Sequence, residues 1–384
     1  MQGDRVLLQS SPATSVREPW STRPRVRLSA YAQLTGLGHP YFRLLHRALE
    51  RHGVVITDPV EIGVSWLRAH RERLDVVHFH WPERIWRGGR SERRGFVASV
   101  VRAIRELLRL ARFLHEAHRL GITRVWTIHN LEPHEGASVW DWLGYQLIGR
   151  SADVVVAHSA WSLEQAKRRY RVKGRGVIMP MGTMRDAYPM PRARDVVLRE
   201  LGLDPRLPMV SCLGLLRGYK GLDLACAAIE RLGGRVQLVV GGPPHASFDV
   251  GRLRDAMGRL KSSVLVAREL SDQEFADIMG ASDAALLPYR NITGSAVLLT
   301  AIGFGRPLIA ADLPYFREVL AAEPDAAALV ASDDPAVWGE VIDAFLSRAP
   351  EMRREAVLRL GDRYSWDRTV VPLVEALASP NARA

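Results

Sequence analysis

The stretch Leu286-Leu-Pro-Tyr-Arg-Asn-Ile-Thr-Gly-Ser-Ala-Val-Leu-Leu-Thr-Ala-Ile-Gly-Phe-Gly-Arg-Pro-Leu-Ile-Ala-Ala-Asp-Leu-Pro-Tyr-Phe-Arg317 decides the fold. Ala284–Leu287 is a short apolar run closed by Pro288, the pattern of a strand buried on both faces of a parallel sheet. Thr293, Gly294 and Ser295 then open an apolar helix that stops near Gly303–Gly305. Arg306-Pro307 leads into a second strand, Leu308–Ala310. A strand, a polar loop, a helix and a strand in this order form a parallel unit. Its loop delivers one Gly and two hydroxyls to a helix N-terminus, where free N–H groups and the macrodipole favour an anion. An ordinary helix cap reads the same way.

The same alternation extends in both directions. On the amino-terminal side of the quoted stretch, strands are predicted over Met209–Leu213, Val236–Val240 and Val264–Ala267, with helices over Leu222–Leu232 and Asp272–Met279. Further towards the N-terminus, strands are predicted over Arg25–Tyr31, Leu74–Trp81, Val125–His129, Asp153–Ala157 and Val177–Met179, again with helices between them. Pro180, Pro189, Pro191, Pro205 and Pro208 mark a linker between the two sets. The expectation is α/β with two doubly wound, Rossmann-like domains facing a cleft, over residues 25–190 and 191–365. Residues 1–24 read as a poorly ordered tail, and 366–384 as a carboxy-terminal helical segment. Length agrees, since 384 residues suit two cores better than one.

The net charge of +11 calls for an anionic partner. Much of it is local: from Arg87 to Arg119 nine Arg stand against three Glu, a net of +6. Val97, Val100, Val101, Ile104, Leu107, Leu108 and Ala111 follow helical spacing there, with Arg102, Arg105, Arg109 and Arg112 beside them. A basic amphipathic helix of this kind can lie on an anionic bilayer, and it can equally be a core-packed helix with a solvated basic face. Nucleic acid is the other class of anionic partner. Only Phe113 supplies an aromatic ring between Val97 and Arg119, too few for a base-stacking surface. No apolar run reaches membrane-spanning length and the N-terminus has no apolar signal core, so the expected location is cytoplasmic, peripheral to the inner face of the membrane. Cys212 and Cys226 fall in a predicted strand and helix, as reduced core residues.

The polar clusters all fall at predicted strand ends, where such sheets bind ligands. His80-Trp81-Pro82-Glu83 and His129-Asn-Leu-Glu-Pro-His-Glu135 offer His80, His129, His134, Glu83, Glu132 and Glu135, groups able to take a proton from a hydroxyl. Their spacing matches no strong metal pattern, and no metal is expected. Gly214-Leu-Leu-Arg-Gly-Tyr-Lys-Gly221 sets Arg217 and Lys220 among flexible glycines, as a diphosphate requires. It is neither a P-loop nor a Gly-x-Gly-x-x-Gly turn, which weakens NTPase and dehydrogenase readings. Gly241 ends another strand of the same domain.

These residues carry a resemblance. The Arg-x-x-Lys-Gly turn, the Gly-Arg-Pro strand entry and the carboxy-terminal Tyr364-Ser-Trp-Asp367 resemble GT-B glycosyltransferases. His39-Pro-Tyr41, Asp75–Glu83, Thr127–Glu135, Leu213–Gly221 and Leu287–Pro307 resemble, more narrowly, the bacterial xanthan-type β-1,4-mannosyltransferases of glycosyltransferase family 94. That resemblance implies a GDP-mannose donor, a polyprenyl-diphosphate-linked oligosaccharide acceptor in exopolysaccharide assembly, inversion at the anomeric carbon and membrane association without a span. The nucleotide sugar is a co-substrate, and no further cofactor is implied. The base would be Glu135 or Glu83, Glu135 ranked first because His129 and His134 lie beside it. Arg217, Lys220, Gly221 and the amides at Gly294 and Ser295 would hold the diphosphate, with Tyr289, Arg290, Asn291 and Thr293 near phosphate or sugar. Arg268 would border the base pocket, and the last helix would cross back to the first domain. Many retaining members carry two Glu eight residues apart near the quoted stretch. Here Ile292 and Thr300 hold roughly those places, and no Glu occurs between Glu274 and Glu318. A retaining transferase using another nucleotide sugar, such as a UDP-sugar, is the rival within enzymes.

Overall fold

A computed structural model describes residues 26–31, 40–57, 59–87, 96–132, 138–348 and 350–379. Each of its two sheets has six strands, all parallel. The first contains β1 (Arg27–Tyr31), β2 (Val55–Ile56), β3 (Val76–His80), β4 (Thr123–Ile128), β5 (Val154–Ala157) and β6 (Arg175–Ile178), in the order β2-β1-β3-β4-β5-β6. The second contains β7 (Met209–Leu213), β8 (Gln237–Gly241), β9 (Ser263–Val266), β10 (Ala284–Leu287), β11 (Leu308–Ala311) and β12 (Ala327–Val330), in the order β12-β11-β10-β7-β8-β9. Strand order reverses between β1 and β3 in one sheet and between β10 and β7 in the other. A crevice opens at the carboxyl end of each reversal. The loop after β3 lies at the first crevice; those after β7 and β10, the Arg217 turn and the quoted stretch, flank the second.

Of the helices, α2 (Val64–His70), α8 (Leu222–Arg231), α9 (Val250–Gly258), α13 (Pro335–Leu346), α14 (Pro350–Arg363) and α16 (Val371–Ala378) complete the two domains, and those that matter for function are few. In the first domain α1 (Pro40–Arg51) covers one face of the sheet. On the other side lie α3 (Glu83–Arg87), α4 (Phe96–Arg119) and α5 (Val139–Ser151), packed against one another, with α6 (Ala160–Tyr170) beside α5. Asp141 is buried at the start of α5, where it accepts from Trp86 Nε1, from both Arg87 Nε and an Arg87 terminal nitrogen, and from Ser138, completing a capping box. Burial alone raises its pKa, but these donors, led by Arg87, outweigh that and bring it to about 2. The proline-rich connection at 180–208 is not all linker, because α7 (Arg194–Glu200) forms within it and packs on α10 (Asp272–Ala281). The chain crosses back at its end. Trp366 in α15 (Trp366–Thr369) meets Tyr41 of α1 at 5.5 Å and donates to the Thr183 carbonyl, and Asp367 pairs with Arg51 at 2.6 Å.

One face counted from the sequence is turned the other way. Ala103, Leu110, Phe113, Leu114 and Ala117 carry α4 into the core. Val97, Val101, Ile104 and Leu108 face solvent instead. The helix is apolar on two sides, and the side with the bulkier Leu and Phe residues displaces the more water when buried. Among the described residues, no helix is long and apolar enough to cross a membrane.

Candidate functional site

On the first domain, strand alternation builds the site. Side chains two apart share a face, so His78 and His80 on β3, Thr127 on β4, and His129 and His158 just past β4 and β5 all point towards α1. His80 lies opposite Thr127 in the ladder. His78 Nε2 meets the Thr127 hydroxyl at 2.7 Å, and His80 Nδ1 meets His129 Nε2 at 2.9 Å. One ring of that second pair must donate and the other accept, so both cannot be imidazolium. Burial, with the neighbouring imidazoles adding to it, holds His78 at about 3 and His80 well below the usual histidine range. Burial also lowers His158, whose Nδ1 bonds the Met179 carbonyl. Burial thus favours the neutral form of His78, His80 and His158.

Trp81 follows in a left-handed conformation, φ +45°, which a bulky residue adopts at a cost of about 1–3 kcal/mol. That conformation lays its indole on the His129 ring, 3.9 Å between centroids and 15° from parallel. Trp81, Pro82, Glu83, Trp126, Thr127, His129, Asn130 and Tyr145 line one small recess. Glu83 accepts a 3.0 Å hydrogen bond from the Tyr145 hydroxyl. Burial raises the Glu83 pKa, against the smaller lowering effects of that bond and of Arg84 and Arg87. A carboxylate with a raised pKa beside an imidazole is equipped to take a proton. Glu132 is tied to Arg169. Glu135 and His134 lie outside the described residues.

On the second domain, Gly214 after β7 adopts φ +89°, and a Cβ there would come within 3.1 Å of both Lys220 Nζ and Val297 Cγ2. Val297 belongs to α11 (Ala296–Gly303), whose N-terminus Ser295 caps by accepting from Leu298 N at 3.2 Å. The Gly-rich turn, the Lys220 ammonium and the start of α11 therefore converge on one point. Gly221 is required by conformation and by space: φ is +64°, and a Cβ would sit 2.0 Å from the Pro288 carbonyl oxygen. Lys220 is buried, donates to the Leu213 carbonyl at 2.8 Å, and is lowered by burial to about 8. Arg217 is half-buried at the head of the same turn.

The remaining predicted residues are placed less directly. Tyr289 is buried against Tyr219 and Phe316, so it supports the loop from beneath. Gly241 is the buried last residue of β8, packed on Leu213 and Leu270. Arg290 pairs with Asp223 at 2.6 Å and donates to the Gly218 carbonyl, binding the loops after β7 and β10 together. Arg268 pairs with Glu274 at 2.6 Å, and Asn291 is exposed.

The two halves meet. Thr293 Oγ1 donates to the His129 carbonyl at 3.1 Å, and Ser162 Oγ donates to the Thr293 carbonyl at 3.2 Å. Gly294 faces His158, its Cβ position 3.8 Å from the ring. Glu318, on α12 (Pro314–Leu320), reaches across to accept from the Ala160 and Trp161 amides at the start of α6. Sequence reasoning passed over His158, Tyr145 and Glu318. His158 directly follows a predicted strand and could have been found by extending the strand-end rule. The other two sit in helices and had no local signal. Among the described residues, no group of three or more His, Cys, Asp or Glu is arranged to hold a metal ion.

Comparison with known proteins agrees with this fold. Residues 208–348 match the family described as glycosyl transferases group 1. The D-inositol 3-phosphate glycosyltransferase of Xylanimonas cellulosilytica is 26% identical over 347 residues, 84% of this chain and 76% of that protein. The enzyme of the same name from Rhodococcus opacus is 26% identical over 68% of this chain and 61% of its own length. Among solved structures, Anabaena HepE in complex with UDP and glucose superposes with a TM-score of 0.68 at 15% identity, covering 92% of this chain and 100% of that one. The sucrose-phosphate synthase of Thermosynechococcus elongatus gives 0.62 at 16% identity, covering 92% and 96%. The fold is GT-B, and the match to glycosyl transferases group 1 falls on the second domain.

Proposed function

We propose that this chain, a glycosyltransferase of GT-B fold, moves one hexose from a nucleoside-diphosphate sugar to an acceptor hydroxyl held by the first domain, with inversion. The observation that carries the reading is the meeting of the two crevices: Gly214, Lys220 and the start of α11 on one side, His129, His158 and the Glu83 recess on the other, with Thr293 bridging them. Glu83 takes the acceptor proton as the new C1–O bond forms and the C1–O bond to phosphate breaks. The diphosphate leaves with the electron pair, and Arg217, Lys220 and the amides of Gly294 and Ser295 stabilise its charge. Direct displacement is supported by the phosphate-side loops, residues 214–221 and 288–295, which contain no carboxylate. The position open to a second Glu is taken by Thr300, buried and bonded to the Ala296 carbonyl.

GDP-mannose as donor and a lipid-linked oligosaccharide as acceptor rest on the His-Trp-Pro-Glu and His-Asn-Leu-x-Pro-His-Glu islands. A UDP-hexose is the second reading, favoured by the solved HepE complexes with UDP and with UDP-glucose. Thermal-shift screening with GDP, UDP and ADP separates the two, because a ligand at 100 times its Kd stabilises by about 2.7 kcal/mol. Stabilisation by GDP alone supports the first reading and by UDP alone the second; no response to any nucleotide overturns both. The anomeric configuration of the product, read by NMR, tests inversion.

A further inference from the structure

A cavity of about 380 Å³ opens on the first domain between the loop after β2, α3 and α4. Its size falls within the range of small-molecule sites. Val60, Ile62 and Ile85 form its apolar part, and Glu61, Arg102, Glu106 and Arg109 its polar part. Nothing in the transfer reading above uses it. It shares the carboxyl edge of the sheet with the reaction cleft, because the loop with Val60–Ile62 leaves the end of β2 and α3 leaves the end of β3. Residues two apart lie on opposite sides of a helix with 3.6 residues per turn. Glu83 therefore faces its recess with Tyr145 on one side of α3, and Ile85 faces the cavity on the other. One helix thickness, about 10 Å, separates the two. Arg102, Glu106 and Arg109 stand at helical spacing on a single face of α4, distinct from its core face and from its apolar solvent side.

The lining identifies the ligand class. Glu106 is buried, and Arg105 at 2.8 Å and Arg109 at 3.4 Å hold it in place. A guanidinium only donates hydrogen bonds, and a carboxylate only accepts them. Two of each line the cavity. An anion entering it would meet Glu61 and Glu106, and a cation would meet Arg102 and Arg109. A hydroxyl donates and accepts at once, and neighbouring hydroxyls on one ring can bridge a guanidinium and a carboxylate. Val60, Ile62 and Ile85 supply an apolar floor for the C–H face of such a ring. A neutral ring with several hydroxyls and an apolar face is a pyranose. Surface helices also carry Glu–Arg pairs at this spacing for their own stability, but that role does not account for a cavity with an apolar floor beside the pairs.

We infer that this cavity is a carbohydrate subsite outside the reaction cleft, holding one neutral pyranose unit whose hydroxyls accept from Arg102 and Arg109 and donate to Glu61 and Glu106. The ligand class stands on the lining alone; that the unit belongs to an acceptor continuing past α3 rests on the glycosyl-transfer reading. Calorimetry and saturation-transfer NMR measure binding of cellobiose, mannobiose and the methyl glycosides of glucose, mannose and galactose to the full chain without nucleotide. Wild type is expected to bind at least one of them. Glu61→Gln and Arg109→Gln should each weaken that binding at least about tenfold, the loss of a hydrogen bond to a charged group. Both side chains are exposed, and Arg105 still holds Glu106 in Arg109→Gln; circular dichroism checks that the variants fold. A transfer assay then separates two sources of the sugar. A raised KM for an oligosaccharide acceptor, with kcat and the KM of a monosaccharide acceptor unchanged, assigns the unit to the acceptor. Loss of saccharide binding with both KM values unchanged supports the subsite and assigns it to a separate saccharide. Three results overturn the inference: no saccharide bound by wild type, wild-type affinity in both variants with the loss appearing in Glu83→Gln instead, or inorganic phosphate bound in place of saccharide and lost in Arg109→Gln but not in Glu61→Gln. Stabilisation by nucleotide without saccharide binding fails this inference alone. Saccharide binding that both variants lose, without any response to nucleotide, fails the transfer reading alone.

Discussion

Replacing Glu83 by Gln removes one charge and almost no volume, and the 3.0 Å contact with the Tyr145 hydroxyl can persist. If Glu83 accepts the acceptor proton, kcat should fall by about 10²–10⁴, or about 2.7–5.5 kcal/mol of transition-state stabilisation. Donor affinity should stay near wild type, because the diphosphate contacts proposed above lie on the other domain. Burial raises the Glu83 pKa, and a base works only when deprotonated. The wild-type rate should therefore fall, as pH is lowered, at a higher pH than an ordinary carboxylate would give. Tyr145→Phe deletes the bond that opposes this shift, so the acid limb should move to still higher pH while the rate well above it survives. The stability sign is opposite. With the folded pKa raised, Glu83 contributes stability that is complete below its unfolded pKa and is lost as pH rises through the folded value. Glu83→Gln should thus be at least as stable as wild type at neutral pH, which separates lost catalysis from lost folding. The assay is nucleotide release against pH for wild type, Glu83→Gln, Tyr145→Phe and Glu135→Gln. If Glu83→Gln keeps more than about a tenth of kcat, or the Tyr145→Phe limb stays in place, the reasoning fails. If the loss appears in Glu135→Gln instead, that residue is the base.

The phosphate side gives a pH test of its own. Lys220 is lowered by burial to about 8, so nucleotide affinity should weaken as pH rises through that value. Lys220→Met should bind at least about tenfold more weakly at pH 7 and lose the dependence, measured by calorimetry. The buried histidines give an acid test. His78 is held at about 3 when folded and near 6.5 when unfolded, so its contribution is present above pH 6.5 and lost as pH falls towards 3. Between pH 6 and 5, urea titrations should show His78→Gln losing about 1.4 kcal/mol per pH unit less than wild type, and equal slopes would contradict a buried neutral ring. Glu318→Ala should remove a cap worth about 0.5–2 kcal/mol from α6. Because that cap crosses the domains, KM should rise more than kcat falls; a global fall in Tm with unchanged KM would show that it only supports the fold.

The fold was legible because its signals are local. In the second domain β7, β8 and β10 are short apolar runs ended by Gly or Pro, and Gly214, Gly221 and Pro288 punctuate the loops that follow β7 and β10. The convergence of the Arg217 turn with the Thr293–Ser295 helix start was legible too, because strand reversal places the loops after β7 and β10 side by side. The facing of α4 was not. Its sequence is apolar on two sides, and periodicity alone cannot say which side meets the sheet. Nor could spacing in the chain pair residues across the sheet. His129 is near His134 in sequence, yet its nitrogen bonds His80, 49 positions earlier. Glu83 finds its partner Tyr145 on a helix 62 positions later. Side-chain partnerships of this kind belong to strand register and helix docking.

Among the described residues, the hydrogen bonds across the cleft are few and individually weak, and that suits a transferase. Across the cleft, Thr293 and Ser162 make one hydrogen bond each and Glu318 accepts two amides. A hydrogen bond contributes about 0.5–1.5 kcal/mol net, and a carboxylate at a helix start about the same. Ties of this size favour closure without locking it, so donor and product can still exchange. All of them cluster at the beginnings of α6 and α11, and the start of α11 is also where the diphosphate would bind. On the proposed reading, a diphosphate at the α11 start would fix the Thr293 loop beside it and, through the His129 carbonyl, the strand end that carries the imidazole stacked on Trp81. Donor binding and the alignment of the acceptor side would then be linked through one loop, with Thr293 as the residue that joins them.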